Sequence, residues 1–142
     1  IGLDLRHTQA DLIRAAMEGI AMGLRRALDV LRRLTRIEDE MLIVGGGSRS
    51  ALWRQICADV YNVTLVKTQI DQEAAALGAA AVAAVGAGLW RDFSHIDAIH
   101  RIEHITRPIP RHVTIYERLL PIFIRAAQCQ AELGEMLAAL EL

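Results

Sequence analysis

Three consecutive glycines, Gly45, Gly46 and Gly47, separate an apolar run at residues 41–44 from a segment with helical character. A strand that ends in a glycine-rich turn and leads into a helix presents backbone N–H groups at the helix N-terminus, where negative charge is stabilised. Because glycine has no Cβ, a ligand can also approach the backbone closely. The pattern therefore favours a nucleotide-binding turn, although a tight structural turn explains the same glycines equally well.

The residues after the glycines exclude three common versions of such a turn. A P-loop requires Gly-Lys-Ser/Thr, whereas Gly47 is followed here by Ser48 and Arg49. A dinucleotide-binding fingerprint requires a third glycine where Ser50 stands and an acidic residue where Lys67 ends the second predicted strand. A nucleophile elbow around Ser48 would also need glycine in place of Ser50. The turn is nucleotide-like but belongs to none of these classes.

Three histidines raise the possibility of a metal site. His100 and His104 are four residues apart, so they would share one face of a helix, with Glu103 nearby. A catalytic zinc site needs three protein ligands, and the sequence offers no evident third one. We therefore interpret His95, His100 and His104 as residues of a polar loop and predict no metal site.

Two tryptophans and two arginines near the glycines could also contact a nucleotide. Trp53 and Trp90 could stack on a base, but large aromatic residues at helix contacts usually pack into the core, and we predict that role. Arg49 and Arg54 could reach phosphate groups, but we expect both on the surface.

A long amphipathic helix is predicted over residues 8–36, where apolar residues recur at helical spacing. Cations are stabilised near the C-terminal end of a helix, and long side chains can extend into solvent. We therefore interpret the arginines of its second half as a solvated face and not an anion site: Arg25, Arg26, Arg32, Arg33 and Arg36.

The glycine turn lies inside a predicted βαβ unit. Residues 41–44 and 63–67 read as short buried strands, and the helix between them ends near Tyr61. Such a unit is parallel and right-handed. Ser48 or Ser50 can cap the helix, and its inward-facing residues are predicted to be Leu52, Ile56 and Val60.

The rest of the chain is predicted to be mostly helical. Asp71 can cap a helix over residues 72–86, whose alanine and glycine face allows close packing against neighbours. Residues 74–90 are uncharged but only weakly hydrophobic, so we predict an internal helix and not a membrane span. A last helical region covers residues 113–140, where Pro121 should begin, kink or divide the helix.

Composition indicates one globular domain with local recognition sites. The chain has 142 residues, 53% of them hydrophobic, and a formal net charge of −1. This balance predicts binding to neither nucleic acid nor membrane surfaces. Cys57 and Cys129 are far apart in helical settings, which predicts free thiols and a cytoplasmic location. The chain does not begin with Met, and we expect it to be a fragment.

Three stretches in the same order carry a family resemblance. Residues 2–18, "GLDLRHTQADLIRAAME", fit the second signature of the FGGY carbohydrate kinases from its internal glycine onward. Residues 45–60, "GGGSRSALWRQICADV", are similar to the adenosine-binding turn and its helix. Residues 72–90, "QEAAALGAAAVAAVGAGLW", are similar to the family's Glu-x-x-Ala-Leu-Gly-Ala-Ala helix. The chain therefore resembles the C-terminal part of this family, especially its xylulokinase-like members, and is expected to be truncated at its N-terminus.

The resemblance implies a fold and a site. It implies an α/β structure that is part of an actin/hexokinase/Hsp70-like (ribonuclease H-like) lobe, with short parallel strands and packed helices. It also implies that the turn from Gly45 to Gly47 lies against the adenosine of ATP or ADP, with Ser48 and Ala51 at the edge of the nucleotide. Ala51 departs from members that carry an amide side chain there, so this position is not expected to hydrogen-bond adenine.

The resemblance also implies what this chain lacks. In the family, the sugar site, the phosphate-binding N-terminal turn, the general-base Asp and the Mg²⁺ ligands lie upstream. We therefore expect a nucleotide-binding fragment of a sugar kinase that is inactive alone, binds sugar only through the missing part and self-associates. Two alternatives remain open: a non-kinase nucleotide-binding lobe of the same superfold, and a ligand-free interaction domain.

Overall fold

The computed structural model describes residues 1–70 and 73–140. Its elements, in chain order, are α1 (Gln9–Leu34), β1 (Glu40–Leu42), a 3₁₀ helix (Gly46–Arg49), α2 (Ala51–Tyr61), β2 (Thr64–Thr68), α3 (Ala74–Gly86), α4 (His95–Ile99), β3 (Ile102–Thr106) and α5 (Pro110–Ala138). The strands form one sheet in the order β1-β2-β3. The predicted cap residue Asp71 lies outside the described residues.

The predicted βαβ unit is confirmed, but its first strand is not buried as expected, because Leu42 is 56% exposed. Strands β1 and β2 are parallel, with Met41 opposite Leu65, and α2 connects them. Helix α2 contacts α1, α5 and the sheet. The core forms around it, from the following buried residues: Ala21, Ile56, Cys57, Ala58, Val60, Val63, Leu65 and Tyr116. The prediction that Leu52 faces inward is wrong, because it is 45% exposed at the start of α2.

The third strand was not predicted. Residues 102–106 were expected to be loop, but they form β3, which pairs antiparallel to β2 with Val66 opposite Ile105. The sheet is therefore mixed, and the helical face proposed for His100 and His104 does not exist. His104 lies in β3, and His100 follows the short helix α4.

Helix α1 begins and ends close to the predicted bounds. Thr8 accepts a hydrogen bond from the backbone N–H of Asp11, whose carboxylate accepts one from the N–H of Thr8, so the two form a capping box. Only Ala21 and Leu28 of this helix are buried. Several of its large apolar residues are half-exposed: Leu12, Ile13, Ile20, Leu24 and Leu31.

Two arginines of α1 are half-buried and bind backbone carbonyls, which corrects the interpretation of all five as a solvated face. Arg25 Nη1 donates to the Val60 carbonyl at 2.5 Å, and Arg32 Nη2 donates to the Tyr61 carbonyl at 2.8 Å. These carbonyls belong to the last turn of α2, where no intrahelical donors remain. Asp29 orients both guanidinium groups, at 2.6 and 3.1 Å. The arginines therefore cap the C-terminus of α2 and join it to α1.

Replacing Arg25 by methionine should lower the free energy of unfolding by about 2 kcal/mol, because a charged donor to a helix-end carbonyl is lost. Urea unfolding followed by circular dichroism at micromolar concentration measures the change. Arg26→Met is the matched control, since Arg26 is an exposed neighbour on the same helix. Equal effects of the two substitutions would contradict the capping role.

Two helices differ from their predictions. Helix α5 begins at Pro110 and continues through Pro121, which therefore neither begins nor divides it. Helix α3 forms at nearly the predicted bounds, but Ala81 is its one buried residue among those described, so the expected close packing is absent here. Within residues 1–70 and 73–140, no helix is both long and apolar enough to cross a membrane.

Candidate functional site

The three glycines lie just after β1, at the carboxyl end of the parallel strand pair. Gly45 has φ = +82°, a conformation that L side chains rarely adopt. Its carbonyl accepts a hydrogen bond from the Ser48 N–H at 3.0 Å, and the Gly47 carbonyl accepts one from the Ser50 N–H at 3.1 Å. The chain thus turns through one 3₁₀ helix directly into α2. In parallel α/β sheets, this edge is where ligands bind.

The structure brings the predicted site residues together but gives them different exposures. Gly46, Gly47 and Ala51 are exposed, and Gly45 is half-buried. Ser48 is completely buried. Its hydroxyl therefore does not reach the outer face of the turn, where a ligand would lie. The exposed residues of the turn are Gly46, Gly47, Arg49 and Ser50, followed by Ala51 at the start of α2.

Of the two serines predicted as possible N-caps of α2, Ser50 is the one that caps it. Ser50 precedes α2, and its hydroxyl accepts a hydrogen bond from the Trp53 N–H at 3.2 Å. Ser48 has no such role. The cap satisfies one of the unpaired N–H groups in the first turn of α2.

Trp53 packs against the core, as predicted, and it also touches the turn. A Cβ added to Gly47 would lie 3.0 Å from both Cδ1 and Nε1 of the indole. This contact gives Gly47 a structural reason to be glycine. Trp90 takes a different role, since its ring stacks on His95 with centroids 5.1 Å apart and planes 13° from parallel.

Arg54 is buried, which corrects the prediction of a surface position. It is 7% exposed, and its Nη1 donates to the Ser48 carbonyl at 2.5 Å. Arg49, in contrast, is exposed as predicted. The sequence does place Arg54 one helical turn after Ser50, on the side of α2 nearest the glycines. That spacing is visible in the sequence, but the burial is not.

A polar cavity of about 530 Å³ lies beside the turn. It is lined by Arg49, Arg54, Lys67, Gln69, Glu73, Glu103 and His104. Lys67 is 6% exposed and forms an ion pair with Glu103 from the neighbouring strand. A buried ammonium group needs such a partner to offset its lost hydration. Strand β3, which the sequence did not predict, therefore lines one side of this cavity.

The histidines do not form a metal centre in the part of the chain that is described. His100 Nδ1 lies 3.2 Å from Thr68 Oγ1, whereas His104 lines the polar cavity. No group of three or more His, Cys, Asp or Glu residues among residues 1–70 and 73–140 is arranged to hold a metal ion.

The cysteines are free thiols, in agreement with the sequence. Cys57 is buried in α2, and Cys129 is half-buried in α5. Burial raises the pKa of the Cys57 thiol, which disfavours the reactive thiolate. Cys57 is therefore a core residue and not a nucleophile.

Comparison with known proteins identifies the family. A profile described as "FGGY family of carbohydrate kinases, C-terminal domain" matches residues 1–87, more than half of the chain. The chain belongs to the FGGY carbohydrate kinase family. The predicted membership is thus confirmed, and the glycine turn lies inside the part that matches the family's C-terminal domain.

Individual FGGY relatives agree with the profile. Xylulose kinase of Haemophilus influenzae is 36% identical over 127 residues, covering 84% of this chain and 26% of that protein. The crystal structure of xylulose kinase from Rhodospirillum rubrum superposes with a TM-score of 0.80 at 29% identity, covering 94% of this chain and 27% of that one. Gluconate kinase from Lactobacillus acidophilus gives a TM-score of 0.79 at 28% identity, covering 92% and 26%.

These likenesses confirm the predicted fold. The FGGY chain is part of an α/β lobe of the actin/hexokinase/Hsp70 type, with a small mixed sheet and packed helices. It spans about a quarter of the length of the relatives that it matches.

Proposed function

We propose that residues 1–142 are part of the C-terminal domain of an ATP-dependent sugar kinase and form its adenosine-binding side. One observation carries the proposal: the turn at Gly46 and Gly47 is exposed at the carboxyl end of the parallel strand pair, inside the segment that matches the family's C-terminal domain. Glycine has no side chain, so its backbone can accept a nucleoside at close range.

The residues of the turn have distinct proposed roles. Gly46 and Gly47 form the surface on which the adenosine lies, and Gly45 supplies the positive φ that starts the turn. Ala51, exposed at the first position of α2, provides an apolar edge and no hydrogen bond to adenine. Ser48 supports the turn from inside, because its side chain is buried.

The reaction of the complete protein would be phosphoryl transfer from ATP to a sugar such as a ketopentose, in the cytoplasm. The xylulose kinases among its relatives support this choice of sugar. By resemblance, the sugar site, the general-base Asp and the Mg²⁺ ligands would lie upstream of this chain. There the Asp would take the hydroxyl proton while the γ-phosphoryl group is transferred in line.

A second interpretation of Gly47 has its own support. The indole of Trp53 occupies the space next to this residue, so glycine is also suited to a purely structural turn. The family match nevertheless favours a kinase over a chaperone-like lobe or a ligand-free interaction domain.

The isolated chain should show no sugar-dependent consumption of ATP with any pentose or hexose, because the catalytic Asp is expected outside it. A coupled ADP-release assay on the purified chain measures this. Turnover that follows the chain through successive columns would refute the expectation.

ADP should raise the melting temperature of the complete protein. An unshifted melting temperature in saturating ADP would refute the nucleotide site.

The isolated chain should also self-associate. Strand β1 lies at an edge of the sheet, and Leu42 is 56% exposed. One face of α1 carries half-exposed leucine and isoleucine side chains. Unpaired strand edges and contiguous apolar faces promote association. Light scattering and calorimetry test this expectation, and a monodisperse monomer with a sharp cooperative transition would contradict it.

A further inference from the structure

The guanidinium group of Arg54 is buried directly beneath the glycine turn. Arginine is seldom buried without a partner, because removing its charge from water is costly. Here Nη1 donates to the carbonyl oxygen of Ser48, whereas Nε has no hydrogen-bond partner among the described residues. The Ser48 carbonyl is thus the observed hydrogen-bond acceptor for the buried guanidinium.

That carbonyl belongs to the centre of the turn. Ser48 is completely buried and is the third residue of the 3₁₀ helix. Its N–H bonds the Gly45 carbonyl, so Ser48 is held at both its N–H and its carbonyl. Three consecutive glycines impose little conformational restriction of their own. Contacts from outside the turn must therefore select its shape.

Helix α2 supplies these contacts from two consecutive residues. Trp53 places its indole against Gly47, and Arg54 binds the carbonyl of the next residue, Ser48. Arg54 is buried and Trp53 is half-buried, whereas Gly46 and Gly47 are exposed. The helix thus holds the turn through these two contacts while the backbone of Gly46 and Gly47 stays accessible.

We propose that Arg54 is a positioning residue for the nucleotide: its bond to the Ser48 carbonyl holds the glycine turn in the shape that accepts adenosine. The inference rests on the proposed nucleotide site. A turn that is already ordered loses less conformational entropy on binding. Arg54 therefore acts on nucleotide affinity through the backbone and without touching the ligand.

The test compares two arginines that bind carbonyls at opposite ends of α2: Arg54, which belongs to α2, and Arg25, which belongs to α1. Arg54 binds a carbonyl just before the N-terminus of α2, and Arg25 binds one at its C-terminus. Arg54→Met and Arg25→Met in the complete protein should both lower the melting temperature. Only Arg54→Met should raise the Kd for ADP, by about fivefold or more, as expected for the loss of one charged hydrogen bond. Arg54→Lys retains a cationic donor and should recover part of the affinity.

Calorimetric titration with ADP gives the affinities of the three variants and of the unsubstituted protein, and hydrogen exchange gives a second readout. Exchange at the Ser48 and Ser50 amides should become faster in Arg54→Met but not in Arg25→Met. Unchanged ADP affinity in folded Arg54→Met would overturn the inference, as would equal Kd increases in both methionine variants. Failure of the unsubstituted protein to bind ADP would instead overturn the proposed function. If Arg54→Met does not fold, Arg54→Lys provides the comparison, and an unchanged Kd with unchanged exchange would refute the positioning role.

Discussion

Replacing Gly47 by valine in the complete enzyme is expected to raise the KM for ATP about tenfold or more, while the KM for the sugar changes much less. Valine adds a Cβ and two methyl groups to an exposed position where the adenosine is proposed to lie. A tenfold change corresponds to about 1.4 kcal/mol of lost binding if KM follows affinity. Steady-state kinetics with each substrate varied in turn measures both constants.

The structure shows which control this experiment needs. Gly47 does not have a positive φ, so valine causes no backbone strain of that kind. Its Cβ would instead lie against the indole of Trp53. Trp53→Leu alone and combined with Gly47→Val forms a double-mutant cycle. If valine acts only through the indole, the combined variant should recover its KM for ATP.

If valine instead blocks the nucleotide directly, the KM for ATP should stay high whether or not the indole of Trp53 is present. Melting curves of the four proteins separate loss of stability from loss of affinity. A well-folded Gly47→Val protein with an unchanged KM for ATP would refute the proposed role of the glycine turn.

Replacing Asp59 by alanine should destabilise the fold by about 3 kcal/mol or more. This carboxylate is 1% exposed in α2. It accepts hydrogen bonds from the backbone N–H of Ile109 at 2.7 Å and from Gln55 Nε2 at 2.8 Å, and it lies 2.9 Å from His112 Nδ1. Ile109 is the N-cap of α5, so the substitution leaves that helix end without its acceptor. Breaking a buried, hydrogen-bonded pair is among the costlier single changes.

Asp11 provides a matched control for Asp59. Its carboxylate likewise accepts the N–H of an N-cap residue, Thr8 at the start of α1, at 2.8 Å. It does so on the surface, where water can replace the lost bond. Urea unfolding of Asp59→Ala and Asp11→Ala should therefore show a much larger loss for Asp59→Ala. Similar losses would show that burial of the Asp59 network contributes little.

The sequence determined those features that depend on short-range patterns. Helix α1 is recognisable because its apolar residues recur at helical spacing over 26 residues. The βαβ unit is recognisable because two short apolar runs flank a helix. The glycine turn and the Ser50 cap are equally local. The family was recognised from three motifs that follow one another in the expected order, since no single motif identified it.

Tertiary structure alone decided which polar residues are buried and what they bind. Strand β3 is exposed along most of its length, and only its pairing with β2 makes it a strand. Arg25 and Arg32 are half-buried and bind carbonyls about 30 residues away, and the buried Arg54 binds the carbonyl of a turn whose path the sequence does not specify. The local sequence around an arginine is the same whether its side chain faces water or binds a helix end. Which of the two occurs depends on which distant backbone groups lack hydrogen-bond partners.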